Sequence, residues 1–361
     1  MEDPFAALAH EGQSVWYDNI SRTELTDGTL QGLIAAGIVR GVTNNPTIFE
    51  KAISGSTAYD SDIQRLDAKG LEAKTVYEAL AMDDVRSAAD LLQPVHTASR
   101  GSDGFVSLEV SPRLAHDAEG SVAEAKRLYQ AIDRSNAMIK IPATAEGCLA
   151  IEELIATGVP VNVTLMFSQS HYDQAAHAYI RGLERALADG RSLEAIPSVA
   201  SVFVSRIDVI VDALLQEQGA RTDLLGKAAI ANAKILYHRF REVFTGPQWE
   251  TLAARGANVQ RPLWASTSTK NPAYRDVMYV EELIGPQTVS TMPPKTIEAF
   301  RDHGCVARTI DRGLAQARTV LSALAEAGID MEQIGTRLQE EGIAAFDAAF
   351  AKLLKKLDPK M

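Results

Sequence analysis

Eight short apolar runs, separated by helix-length segments, predict a (β/α)8 barrel. The runs are residues 14–20, 39–44, 104–110, 137–142, 159–166, 195–204, 261–266 and 286–291. Each is rich in Val, Ile or Leu and bounded by Gly, Pro, Asn or Ser, which reads as a strand. Strand–helix alternation implies a parallel sheet, and eight repeats suggest closure into a barrel of about 250 residues. A doubly wound open sheet is the structural alternative. The chain has 361 residues, so it carries a surplus over that minimum. The surplus falls in the connection 46–103, with room for two or three helices, and in the Ala- and Leu-rich tail 306–361. No Ser/Gly linker or low-complexity tract divides the chain, so a single domain spanning 1–361 is expected.

Several connections carry helix signals. Ser21-Arg22-Thr23-Glu24 reads as a capping box. Ser168-Gln169-Ser170 opens a helical pattern over 170–189, and Gly190 ends it.

Composition excludes several function classes. The net charge of -11, from 36 basic and 47 acidic residues, argues against nonspecific nucleic-acid binding. An anionic substrate would need a local basic pocket against that background. Two cysteines, Cys148 and Cys305, form no disulfide framework or zinc pattern and suit a reducing compartment. The acidic start Met1-Glu2-Asp3-Pro4 does not resemble a signal peptide, and no run of apolar residues is long enough to span a membrane. A cytoplasmic location is expected. There is no Walker P-loop, GxGxxG or HExxH pattern, and the seven histidines show no ligand spacing. Neither a metal nor an organic cofactor is expected. A homo-oligomer is compatible with this composition, which does not fix the oligomeric state.

Lys140 is the most informative residue. It sits in Met138-Ile139-Lys140-Ile141-Pro142, with no obvious route to water. Burial disfavours an ammonium, and a neutral desolvated amine is the nucleophile that forms Schiff bases with carbonyls. The bland alternatives are a lysine snorkelling at a strand end and a lysine paired with a carboxylate.

Side chains alternate along a strand, so one parity of each run fills a barrel interior. That parity holds Asp18, Asn45, Glu109, Lys140, Asn162, Thr164 and Ser201, with Phe203 beside Ser201 on the sixth run. Each has an ordinary explanation alone: Asp18 as a turn cap, Asn45-Pro46 as a helix entry, Thr164 as β-propensity, Glu109 as a partner for Lys140. Together they do not. Burying a lysine with two carboxylates costs several kcal/mol per unpaired ion, and carboxylates in different surroundings around one amine suit acid–base relay. Arg206 follows the sixth run, and Ser266 and Lys270 lie in the hydroxyl-rich loop after the seventh. Loops after late strands commonly hold phosphate in such barrels. A solvated Ser/Thr loop is the alternative there.

Three motifs then resemble the transaldolase family: Gly41-Val42-Thr43-Asn44-Asn45-Pro46-Thr47, Asn136 to Thr144 with Glu146-Gly147, and Val161-Asn162-Val163-Thr164-Leu165-Met166-Phe167-Ser168. The resemblance covers nearly the whole chain, and its length is that of the longer bacterial subfamily. It implies a class I aldolase-type barrel that moves a dihydroxyacetone unit between sugar phosphates in the non-oxidative pentose phosphate pathway. It implies Lys140 as the Schiff-base former, Asp18 handling the proton of the donor hydroxyl, and Glu109 working through a water held by Thr164. Asn45 and Asn162 would hold hydroxyls of the three-carbon unit, Ser201 and Phe203 would line the site, and Arg206 would meet the phosphate. The chain departs from the family pattern after Ala265-Ser266, where Thr267-Ser268-Thr269-Lys270 stands in place of an early arginine. A lyase using the same imine and a non-enzymatic barrel scaffold are the competing readings.

Overall fold

The computed structural model describes residues 3–219 and 221–358. Eight parallel strands close into a barrel in chain order: β1 Gln13–Asp18, β2 Val42–Thr43, β3 Val106–Glu109, β4 Ala137–Pro142, β5 Val161–Met166, β6 Ser198–Phe203, β7 Arg261–Ala265 and β8 Thr288–Met292. β8 returns to β1 with Trp16 opposite Thr291. Closure removes the exposed edges that an open sheet would leave, so the doubly wound alternative does not hold. Ile139, Ile141, Val161 and Val163 are fully buried on one parity, as expected of strands covered by a helix ring.

Two glycines set local geometry. A Cβ at Gly41 would meet the Trp16 indole at 2.5 Å, so Gly41 makes room for the fully buried Trp16 ring. A Cβ at Gly147 would meet the Pro142 carbonyl oxygen at 1.9 Å. Gly147 therefore lets the helix Ala145–Ala156, capped by Thr144, start immediately after β4.

The connection after β2 holds three helices, Pro46–Ser54, Asp60–Asp67 and Ala73–Ala98. The tail ends in the helix Met331–Leu357, which crosses the C-terminal ends of β4 and β5. There Gln339 Nε2 donates to the Ala143 and Leu165 carbonyls at 2.9 and 3.0 Å. Around Ser21 only half of the expected box forms. Ser21 Oγ accepts from the Glu24 amide at 3.3 Å, but the Glu24 carboxylate turns to Tyr17 and Asn19. The helix Arg22–Thr26 is a single turn, and the tertiary partners win over the local cap.

Candidate active site

A cavity of about 560 Å³ opens at the C-terminal end of the barrel, the end where barrels of this type carry their chemistry. Asp18, Asn45, Lys140, Thr164, Ser201, Phe203, Arg206, Ser266 and Lys270 all line it. They come from six strands or the residues that follow them. No local stretch could assemble this set; barrel closure does.

Lys140 reaches in from β4 and is 5% exposed. Its Nζ donates to the Asn44 carbonyl at 2.8 Å and stands 3.2 Å from Glu109 Oε2. The second contact is an ion pair whose angle misses a well-directed hydrogen bond. Of the readings left open by the sequence, the pairing with a carboxylate is the one the geometry shows: the amine meets Glu109 as well as apolar walls. Glu109 itself does not line the main cavity. It sits behind the amine in a small side pocket with Tyr77 and Phe350, where burial pushes its carboxyl up and Lys140 pulls it back. Thr164 Oγ1 is buried with no hydrogen-bond partner among the described residues.

Asp18 ends β1, and its Oδ1 accepts from Thr43 Oγ1 at 2.9 Å. It caps no turn. Burial raises its carboxyl above the usual range, while Lys140, the Thr43 hydroxyl, Lys270 and Arg206 pull it down. Two carboxylates thus flank one amine, in different surroundings and from different strands.

Asn162 also lies off the cavity wall. It is fully buried, its Nδ2 donates to Ser107 Oγ at 3.0 Å, and its Oδ1 accepts from Ser201 Oγ at 2.7 Å. Asn44 Nδ2 donates to the Ser107 carbonyl. A polar layer, Ser201–Asn162–Ser107–Asn44, therefore runs under the cavity and ends on the carbonyl that holds Lys140. Buried polar groups linked this way hold one arrangement.

At the far side, Arg206 lies over the Phe203 ring with its guanidinium carbon 5.2 Å from the ring centre. Burial lowers its pKa, with Asp18 and Glu341 opposing. Lys270 Nζ donates to Ser268 Oγ at 2.7 Å. Lys270 is exposed at the cavity mouth, where partial desolvation holds it below the ordinary lysine range, Arg206 and Lys51 lower it further, and Asp18 lifts it. Ser266 Oγ is 2.9 Å from Ser205 Oγ. Cations that press on one another inside an acidic protein form a pocket suited to an anion. The backbone is also unusual here. Leu165 and Ser266 are non-glycine residues at φ of 57°, and the β5–β6 register shifts between Val163 and Met166. Such departures concentrate at functional sites, where they re-aim side chains.

The model of the transaldolase/fructose-6-phosphate aldolase family matches residues 15–357. The chain belongs to this family. It is 46% identical to transaldolase 2 of Nostoc sp. over 97% of this chain and 95% of that protein. It is 48% identical to transaldolase 1 of Streptomyces avermitilis, over 96% and 93% of the two chains. It is 47% identical to a transaldolase of Acidothermus cellulolyticus, over 98% and 95%. All three relatives are named transaldolases, which are transferases, and this chain is an enzyme of the same class.

Sequence reasoning missed several neighbours of Lys140 and of the cation cluster. Asn44 was passed over because alternation assigns it the outer face; β2 is only Val42–Thr43, and beyond it the chain leaves strand geometry. Lys51 lines the cavity from the helix Pro46–Ser54, on a face with Thr47 and Ile48. Asn45 caps that helix through Oδ1 to the Ile48 amide at 3.0 Å, so it is a helix entry and a cavity residue at once. Three- and four-residue spacing from Ile48 and Thr47 would have found Lys51. Phe346 comes from the tail helix Met331–Leu357, and no local signal places a tail across a barrel mouth.

Proposed function

We propose that this enzyme moves a dihydroxyacetone unit from sedoheptulose 7-phosphate or fructose 6-phosphate to glyceraldehyde 3-phosphate or erythrose 4-phosphate, through an imine at Lys140. The observation that carries this is the buried amine of Lys140 between two unlike carboxylates, at one end of a cavity whose other end is cationic.

In this reading Glu109 takes the proton of the Lys140 ammonium, which burial of its carboxyl favours. The free amine adds to the ketose C2 carbonyl. The carbinolamine then loses its oxygen as water, with proton transfers relayed from Glu109 through a water on the unpartnered Thr164 hydroxyl. Asp18 removes the proton of the C4 hydroxyl, the C3–C4 bond breaks, and its electron pair passes into the iminium to give an enamine. The aldose phosphate leaves. The acceptor aldehyde enters, the enamine carbon attacks it, Asp18 returns the proton, and water releases the new ketose. Asn45, Asn162 and Ser201 hold the hydroxyls of the three-carbon unit, Asn162 through the Nδ2 hydrogen and Oδ1 lone pair that its bonds to Ser107 and Ser201 leave free. Phe203 walls the site, and Arg206, Ser266 and Lys270 take the phosphate.

The described chain acts as one barrel domain, with the 46–103 insertion and the tail serving its mouth. The reading also includes a cytoplasmic setting, supported by the free Cys148 and Cys305 and by the lack, among the described residues, of a helix long and apolar enough to cross a membrane. A two-substrate assay tests the transfer. Fructose 6-phosphate with erythrose 4-phosphate should give sedoheptulose 7-phosphate, and fructose 6-phosphate alone should release almost no dihydroxyacetone. Steady release without an acceptor would make the enzyme a lyase instead.

A further inference from the structure

A second cavity, about 510 Å³, opens at the N-terminal end of the barrel, and none of the residues assigned above lines it. Phe105, Met138 and Val199 give it an apolar lining. Its wall carries three charged side chains, Arg40, Asp103 and Arg261. Asp103 is buried. It accepts from Ser14 Oγ, from Trp16 Nε1 at 2.7 Å and from Arg40 Nε at 3.0 Å. Arg261 Nη1 lies 3.7 Å from Oδ1, the oxygen that accepts from Trp16, while Ser14 and Arg40 donate to Oδ2. Both carboxylate oxygens are therefore engaged, and two guanidiniums face one carboxylate.

The excess charge is not absorbed elsewhere. Arg261 spends its terminal nitrogens on the Ser102 and Thr288 carbonyls and on Ser14 Oγ, which are neutral. Burial holds it below the ordinary arginine range. Arg40 uses only Nε, and its two terminal nitrogens have no hydrogen-bond partner among the described residues. At the rim, Gln287 is a non-glycine residue at φ of 58°, the same departure that Leu165 and Ser266 show at the other mouth.

A purely structural role explains part of this. The N-terminal face of a barrel usually serves stability, and Asp103 tying β1 to Arg40 and Arg261 fits that. It does not explain an unpartnered guanidinium fork beside apolar side chains in a cavity of ligand size. One negative charge would balance the cluster, and a dianion would overshoot it. The planar fork of arginine matches a carboxylate in two parallel hydrogen bonds.

We infer that this second cavity is a binding site for a small organic monocarboxylate, its head on Arg40 and its apolar body against Phe105, Met138 and Val199.

The test uses the full chain with methyl-labelled methionine, benzoate as the probe, and benzamide and inorganic phosphate as comparators. Binding is followed at the Met138 methyl by NMR and by calorimetry. Benzoate should shift Met138 saturably, while benzamide, without the charge, and phosphate, without the apolar body, should leave it nearly unmoved. Arg40→Met should weaken benzoate by about tenfold or more, the loss expected for a charge-assisted pair, with transfer activity unchanged. Val259→Phe, at the cavity wall, narrows the site while keeping Arg40 and should also weaken benzoate. The inference falls if benzoate leaves Met138 unmoved, if Arg40→Met binds it as tightly, or if benzamide or phosphate binds equally well.

Discussion

Lys140 Nζ lies 3.2 Å from Glu109 Oε2, and both side chains are 6% exposed. Removing either partner leaves the other charge buried and alone. Glu109→Gln should therefore slow imine formation, because the amine loses the base that frees it. A drop of about 10²–10⁴-fold is the expected size for one acid–base group. Asp18→Asn should form the imine normally and stall at cleavage, so its trapped adduct would carry the intact sugar. Mass spectrometry of borohydride-reduced samples at timed intervals checks both. Identical adduct masses and formation rates in the two variants would refute the division of labour.

Lys270, Arg206 and Lys51 should act on substrate phosphate. Lys270→Met should raise KM for phosphorylated acceptors, at about 1.5–3 kcal/mol for a lost charge-assisted hydrogen bond. The variant lacking both Lys270 and Arg206 should lose more than either alone. The check is kcat/KM for glyceraldehyde 3-phosphate against glyceraldehyde. Equal losses on the two substrates would move the phosphate site elsewhere.

The pH dependence of cleavage should respond to Thr43. Its hydroxyl donates to Asp18 Oδ1 at 2.9 Å and favours the charged carboxylate, which burial opposes. Thr43→Val removes that support, so the Asp18 pKa rises further. As a proton acceptor Asp18 must be ionised, and the acid limb of kcat should move to higher pH. An acid limb that stays in place, or moves to lower pH, would separate it from Asp18.

A second carboxylate gives a stability prediction. Asp208, on the helix Ser205–Gln218 that also carries Arg206, accepts from the Ala229 amide and the Tyr279 hydroxyl at 2.8 Å each. Burial pushes its pKa from 3.8 to about 6. Between those values the folded chain holds a proton that the unfolded chain releases. Stability from this group therefore falls as pH rises through the window. On acidification from about pH 7 to pH 5, the wild type should gain stability relative to Asp208→Asn, by a few kcal/mol at most. Urea unfolding of both proteins at the two pH values measures it. A constant difference would contradict it.

How far the sequence was legible depended on the range of the forces involved. The eight strand runs could be read because apolar clustering and Gly, Pro and Asn boundaries are local; six runs contain their strand, and those at β1 and β8 overlap it but miss one end residue, Gln13 and Met292. The inward parity of Asp18, Lys140, Thr164 and Ser201 followed from strand alternation, and all four line the cavity. Parity alone could not tell a wall from a support. Glu109 and Asn162 share the inward parity, yet one lies behind the amine and the other beneath the floor. The ion pair at Lys140 was open in the sequence because partner choice depends on how β3 and β4 pair, here Glu109 beside Lys140. Asn44 was hidden by the two-residue β2, Phe346 by the path of the tail, and the cluster around Asp103 by contacts that run from residue 14 to residue 288.

The most direct measurement is borohydride reduction of the enzyme with fructose 6-phosphate, followed by peptide mass mapping. A dihydroxyacetone-derived adduct on Lys140 alone, absent in Lys140→Arg because a guanidinium stays protonated and cannot attack, is the predicted result. An adduct on another lysine, or one that survives in Lys140→Arg, would contradict the assignment of Lys140 as the nucleophile.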